Sequence, residues 1–431
     1  WVDFDNVNGI ATISGSGSTW DYYQDGTAVP DYKFKNPFVN KEFNKIVIEK
    51  GITRLGNYLF YAANAQNTQI CELKIADTVT EIGKYSFYKV QKLQMLQLPS
   101  YVQKVDESAF ELIRSLKILQ LNEGLKIIEN RDFYSTGINN IQLPQSVTKI
   151  GEYVFSQCSS LSNVEGFERL TNIPKGIFEG CPIKSFDFSN AVQIGIAAFR
   201  NTQLQEIDTL TEKLTKIDVS AFSQCKVLKT VNIPNSVKEI GSSAFEGTAI
   251  EKIVIPNSVI TLGWGAFSEC KDLYDVELPN NQLSLKNTFI GCVGLKSIVI
   301  PENVIELGDT FVGCIRLHDV TIRGQKTKFL RYAVDGAEHP FVGCDSLQYI
   351  SSYDCSYAKK LATDNNIPFK TLGEKDHQFT AEKVQIKEPT CTEEGSKAYK
   401  CEICGFIEEE EEIAAKVPVY RQPRIVLLTT G

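Results

Sequence analysis

Nowhere does this chain hold the roughly 18 consecutive apolar residues that a membrane-crossing helix needs; late in the sequence the longest such run is Ile425 to Leu428. No membrane insertion by this chain is therefore expected. Positive charge is in deficit, with 45 Lys and Arg against 53 Asp and Glu and a net charge of −8. That balance argues against a protein whose affinity comes from neutralising phosphates, so nucleic acid is not an expected partner. Histidine is scarce, with three at positions 318, 339 and 377, and there is no Gly-x-Ser-x-Gly, no His-Glu-x-x-His and no phosphate-cradling glycine loop. No enzyme is expected. The 15 Pro and 29 Gly are too few for a collagen-like or disordered chain, and 42 % hydrophobic residues supply a core. The sequence starts at Trp1 without a basic or apolar leader, so a targeting segment has been removed or never existed.

What is present is a repeat. A length of 431 residues suits about three ordinary domains or one elongated array, and the array fits. Phe60, Phe87, Phe110, Phe133, Phe155 and Phe178 open a series that continues through Phe199, Phe222, Phe245, Phe267, Phe289, Phe311 and Phe341, spaced mostly at about 22 residues. Five residues before most of them stands an apolar residue followed by Gly, as in Ile82-Gly83, Ile240-Gly241 and Leu262-Gly263. Gly there is expected to permit a turn with positive φ. Upstream runs a short alternating stretch ending in Pro, such as Ile253-Val254-Ile255-Pro256. Alternation marks a strand with one buried face, and the Pro, lacking an N–H, ends it. One repeat reads strand, turn, short extended segment, turn. Such units cannot bury their own apolar faces, so they stack. About fourteen rungs at about 4.8 Å give a parallel sheet about 65 Å long.

Seven of the twelve cysteines, Cys158, Cys181, Cys225, Cys270, Cys292, Cys314 and Cys344, follow the repeat Phe by three residues. Other repeats place Ala63, Val90, Ile113, Thr136, Thr202 or Thr248 there. A slot that exchanges these residues is small and buried, and its thiols are expected to be reduced packing groups. Cys71 and Cys355 fall outside the frame and receive no role.

The repeat resembles the BspA-type bacterial leucine-rich repeat, Val-x-x-Ile-Gly-x-x-Ala-Phe-x-x-Cys-x-x-Leu; Val259 to Leu273 is a nearly complete copy and Val237 to Phe245 begins another. The likeness runs from about Lys45 to Leu372. Ile10 to Gly17 resembles the family's N-terminal cap, and Tyr357 to Ala362 with Asn366 to Phe369 its closing helix and last strand. The resemblance implies a leucine-rich repeat solenoid: a curved right-handed rod with a parallel β-sheet on the concave face, capped at both ends. Expected domains are an N-terminal β cap at 1–44, the solenoid at 45–372 and a small Cys-containing module with a linker at 373–431. Departures at Asn130-Arg131-Asp132, at Pro174 and in the thirty-residue step to Phe341 should bulge the rod without breaking it. In that step Arg316, His318, Arg323, Lys326, Lys328 and Arg331 form a basic cluster, read as a solvated loop over an anion or glycan contact.

Beyond Glu374 the repeat is gone. Pro389-Thr390-Cys391-Thr392 and Cys401-Glu402-Ile403-Cys404-Gly405 resemble a small module appended to bacterial surface proteins. The Cys-x-x-Cys knuckle can place two thiolates on one metal, and His377 with Cys391 would complete a tetrahedral zinc site with Cys401 and Cys404. A disulfide among the three cysteines, or free thiols, are the alternatives. Either staple would help a segment with few large apolar side chains. No other cofactor is expected.

Function is expected on the sheet. Its outward positions form a column: Val47, Lys74, Gln97, Gln120, Gln142, Glu165, Asp187, Asp208, Asn232, Val254, Glu277, Val299, Thr321 and Ser351. Candidate binding residues are Gln97, Gln120, Gln142, Glu165, Asp187, Asp208, Asn232 and Glu277, a polar and acidic stretch suited to a basic or hydrogen-bonding partner. Few aromatics stand in the column, which favours protein over glycan. The resemblance implies a monomeric, extracellular or cell-surface protein that adheres to host or neighbouring-cell proteins. A carbohydrate-binding module and a passive stalk remain the alternatives.

Overall fold

The structure is a computed structural model that describes residues 1–23, 28–29, 36–38, 41–61, 69–330, 339–390, 394–404 and 407–413. It is a parallel β-solenoid of about fourteen turns. Most turns contribute two strands, because the short extended segment after the Pro also pairs with its neighbours. In the first ladder Met95–Gln97 lies parallel to Ile118–Gln120 with Leu96 beside Leu119, and Lys252–Val254 lies parallel to Asp275–Glu277 with Ile253 beside Val276. In the second, the pairs Glu81–Ile82, Lys104–Val105, Ile127–Ile128 and Lys149–Ile150 run side by side. Alternation sets this register, since a slip of one residue would turn every buried Leu, Ile and Val to water.

Between the ladders runs a stack of phenylalanines. Phe87, Phe110, Phe133 and Phe155 lie nearly parallel, with centroids 5.1, 5.7 and 5.7 Å apart. The spacing continues from Phe199 through Phe222, Phe245, Phe267 and Phe289 to Phe311. Across the long step Phe311 and Phe341 are still 5.8 Å apart and 4° from parallel, so the core is continuous there. Where the repeat shortens, Phe186 and Phe188 pack edge-on against Phe199.

The cysteine slot is buried, as its composition implies, and it has a polar task as well. Each thiol donates to the carbonyl of the Phe one turn back: Cys181 to Phe155 at 3.0 Å, Cys225 to Phe199 at 3.0 Å, Cys270 to Phe245 at 3.1 Å and Cys314 to Phe289 at 3.2 Å. Thr136 and Thr248 donate from the same slot to the Phe of their own turn. Both residue types thus offer a buried carbonyl a further donor, beside backbone N–H groups such as that of Thr202 on Phe199 and that of Thr248 on Phe245. Burial pushes the thiols of Cys225 and Cys270 up to about 11, which keeps them protonated. All seven are free. Ala63 lies outside the described residues.

The repeat glycine serves a different purpose from the expected one. A Cβ on Gly263 would stand 2.2 Å from the Ser242 nitrogen, and one on Gly241 2.4 Å from the Val219 nitrogen. Close approach of successive turns excludes the side chain there. Positive φ falls two residues later, on Tyr85, Ser108, Tyr153, Ala197, Ser220 and Ser243, at 52° to 58°.

The ends differ from the middle. Val2–Asp5 is antiparallel to Ile10–Ile13, which runs parallel to Lys45–Ile48. At the far end the helix Tyr357–Asp364 starts at Ser356, whose hydroxyl accepts the Lys359 N–H, and leads to Phe369–Thr371 alongside Tyr349–Ser352. Beyond it, Val384–Lys387, Gly395–Lys400 and Ile407–Ile413 form an antiparallel sheet.

Candidate binding face and metal centre

Strand pleating turns every second side chain of the first ladder outward. Gln97 lies beside Gln120 and Gln142 beside Glu165, all exposed. Glu277 lies beside Val254, and Asn232, Asp187 and Asp208 are exposed just past or outside assigned strands. Glu165 accepts the Asn163 side-chain amide at 3.0 Å, and Asp187 accepts the Ser189 N–H at 2.8 Å. Ser351 departs from expectation: it is only 4 % exposed, since Phe369–Thr371 adds a strand beside it.

The outward face has a second column, two residues earlier in each strand, that the sequence reading passed over. Met95 and Ile118 are register partners there, 56 % and 49 % exposed. Lys252 pairs with Asp275 at 3.3 Å, and the Lys252 ammonium lies over the Tyr274 ring. Lys252 and Tyr274 line, with Lys229, Asn232 and Val254, a groove of about 390 Å³. The alternation that exposes Gln97 also exposes Met95, so the signal was available.

In the basic stretch, His318 Nδ1 lies 2.7 Å from Asp319. Tyr349, with His318 also contributing, holds the Asp319 carboxyl below its ordinary range. Lys328–Phe329 belongs to the second ladder, and Arg331 lies outside the described residues.

Four ligand atoms converge where the tail meets the last turns of the rod. The sulfurs of Cys355, Cys401 and Cys404 and a ring nitrogen of His377 all lie within 4.8 Å of one another. Cys355 and Cys401 sulfurs are 3.5 Å apart, and Cys404 lies 3.3 Å from His377 Nδ1. Cys355 and Cys401 are buried with Ile403 under Tyr357 and Phe379; His377 and Cys404 face a cleft of about 1080 Å³. Backbone bonds hold the arrangement: Thr380 N–H to Lys400 carbonyl and Glu402 N–H to Gln378 carbonyl bring the His377 segment against the knuckle. Burial pushes the Cys355 thiol up to about 12. Cys401, though buried, is held down to about 6 by the backbone of Cys404, Ile403 and Gln378. The structure thus joins three of the four residues read as ligands, His377, Cys401 and Cys404. The fourth, Cys391, lies outside the described residues; among the described residues the cluster's fourth ligand atom is the sulfur of Cys355, from the rod.

A stack of two-strand turns around a phenylalanine column, with one buried slot per turn, defines a leucine-rich repeat solenoid. The chain belongs to the BspA-type leucine-rich repeat family, whose sequence pattern matches it in six copies over overlapping stretches from residue 28 to residue 367. Among solved structures it is similar to a leucine-rich repeat protein from Bacteroides ovatus, at 22 % identity and a TM-score of 0.53, covering 86 % of this chain and 98 % of that one. It is also similar to the pneumococcal vaccine antigen PcpA, at 16 % identity and a TM-score of 0.51, covering 87 % and 99 %. These likenesses carry the fold. No curated protein matches the sequence.

Proposed function

We propose that the protein is a non-enzymatic binding protein, extracellular or displayed at a cell surface, that adheres to host or neighbouring-cell proteins through the outward face of its first ladder. The rod is a curved monomer with this sheet on its concave side, closed at its ends by the strands of 1–44 and by the helix and last strand before residue 373. One observation carries the reading: side chains from successive turns stand exposed in register, Gln97 beside Gln120 and Gln142 beside Glu165, forming a continuous surface whose content varies while the core repeats. The acidic stretch Glu165, Asp187 and Asp208 favours a basic partner, chiefly through encounter rate and orientation. An extracellular setting accords with the family and with the description of PcpA as a vaccine antigen.

The Tyr274 groove supports a second reading. An exposed ring beside Lys252 and Asn232 is the arrangement on which a sugar ring can stack and form hydrogen bonds. The two readings separate when the chain and the double variant Asp187→Lys, Asp208→Lys are offered to immobilised matrix proteins and to a glycan array at equal salt. Saturable protein binding lost in the variant supports adhesion through the acidic stretch. Binding to glycans alone transfers the function to the groove, and no binding to either leaves a stalk.

A further inference from the structure

The rod contributes a metal ligand to the tail. We propose that Cys355, His377, Cys401 and Cys404 bind one Zn²⁺ as a closed structural site that fixes the C-terminal antiparallel sheet to the last turns of the solenoid.

Chemistry and geometry agree on the ion. Three sulfurs and one imidazole nitrogen are a zinc donor set, and four protein ligands fill a tetrahedron without leaving a position for substrate. With Zn–S bonds of about 2.3 Å and Zn–N bonds of about 2.0 Å, the edges of such a tetrahedron are about 3.5 to 3.8 Å. The sulfurs of Cys355 and Cys401 are 3.5 Å apart and Cys404 is 3.3 Å from His377, so an ion enters with shifts of a few tenths of an ångström for these pairs. A disulfide accounts for the cluster less well. It would bring two sulfurs to about 2.05 Å and would not explain why the third sulfur and the imidazole converge on the same point.

The location supplies the reason for a staple. Among the described residues the apolar cluster here consists of Cys355, Cys401 and Ile403, with Tyr357 and Phe379 partly buried against it, too small a core to hold three strands by apolar burial. The ligands come from three separate places. Cys355 sits just before the closing helix, and its carbonyl accepts the Gln325 side-chain amide at 2.8 Å, which ties it to the preceding turn. His377 belongs to the connection, and Cys401 with Cys404 to the knuckle. An ion held by all three fixes the angle between rod and tail, because binding energy at such a site is folding energy for the segments it joins. Lys375 paired with Glu302 adds a second tie along the same seam.

The test uses the full chain, freed of any histidine tag and purified from zinc-supplemented cells. Metal analysis should return about one zinc per chain. Cys355→Ser and Cys404→Ser should each lose most of it; Cys404 is exposed, so its replacement leaves packing intact. Cys391→Ser and Cys71→Ser should keep it. Cobalt exchanged into the site should show the intense visible bands of a tetrahedral thiolate centre. Chelation should open residues 374–413 to protease while the rod stays resistant. Full zinc in Cys355→Ser with loss in Cys391→Ser would return the site to the tail alone. A metal-free chain with a Cys355–Cys401 or Cys401–Cys404 disulfide on peptide mapping would overturn it altogether.

Discussion

The thiol of Cys292 donates to the carbonyl oxygen of Phe267, one turn back along the rod and 3.1 Å away. This contact recurs at all seven slot cysteines, so at those turns the slot favours a compact side chain with a donor, whereas Val90 and Ile113 fill it without one. Cys292→Ala removes both a sulfur's volume and the donor, and should cost about 1–2 kcal/mol. Cys292→Thr keeps a donor at similar volume and should cost less than about 1 kcal/mol. Urea unfolding of the two variants decides the matter, since equal losses would mean that a donor in this slot contributes nothing.

Much of this was readable beforehand, because a buried period survives in composition: the Phe series and the strand alternation needed no partner to be recognised. What stayed hidden depends on backbone or on distant chain. Gly263 looks like a turn glycine in sequence, and only the approach of Ser242 shows that steric exclusion selects it. Cys355 carried one sign, its position outside the repeat frame, but its partner Cys401 lies 46 residues away and no local pattern links the two. Met95 and Ile118 were not singled out, although alternation puts them on the face of Gln97 and Gln120.

Asp132 occupies the position where most turns carry a small or apolar residue such as Ala109 or Ala221, and it is fully buried. Burial, with further repulsion from Asp106 and Glu129, raises its pKa well above 3.8. The folded protein then binds a proton that the unfolded chain has released, so this group's contribution to stability falls as pH rises from about 4 through the raised value. Its two N–H partners have other acceptors: Ala109 N–H reaches Asp106 carbonyl at 3.1 Å and Glu129 N–H reaches Val105 carbonyl at 3.2 Å. Asp132→Ala should therefore be more stable than wild type at pH 7, by about 1–3 kcal/mol, with the advantage shrinking toward pH 4. Melting curves across that range check it; an advantage that grows on acidification contradicts the assignment.

Gly263 and Gly265 stand two residues apart but answer to different constraints. Ala at 263 would press its Cβ into the Ser242 backbone and should cost about 1–3 kcal/mol, as the turns must separate. Ala at 265 meets nothing closer than the Ser268 hydroxyl at 3.1 Å and incurs only the left-handed penalty of about 1 kcal/mol, at a position where Ser243 already adopts that conformation one turn back. Denaturation midpoints should rank Gly263→Ala as the more damaging change, and the reverse order would make backbone conformation the controlling term.

Met95 and Ile118 sit side by side on the proposed binding face, with about half of each side chain in water. Folding gains little from surface that remains exposed, so Met95→Gln with Ile118→Gln should leave stability within about 0.5 kcal/mol of wild type. The buried neighbours Leu96 and Leu119 belong to the other side of the same strands, and Leu96→Gln should be severely destabilising because it buries an amide among apolar side chains. Association draws on the opposite side. A partner lying across Gln97 and Gln120 must also cover Met95 and Ile118, and the desolvated apolar pair would supply affinity that the polar column alone does not. The double variant should weaken such a partner about tenfold, equivalent to about 1.4 kcal/mol, with unchanged melting. Unchanged affinity in a stable double variant would confine the contact to the acidic turns around Asp187 and Asp208.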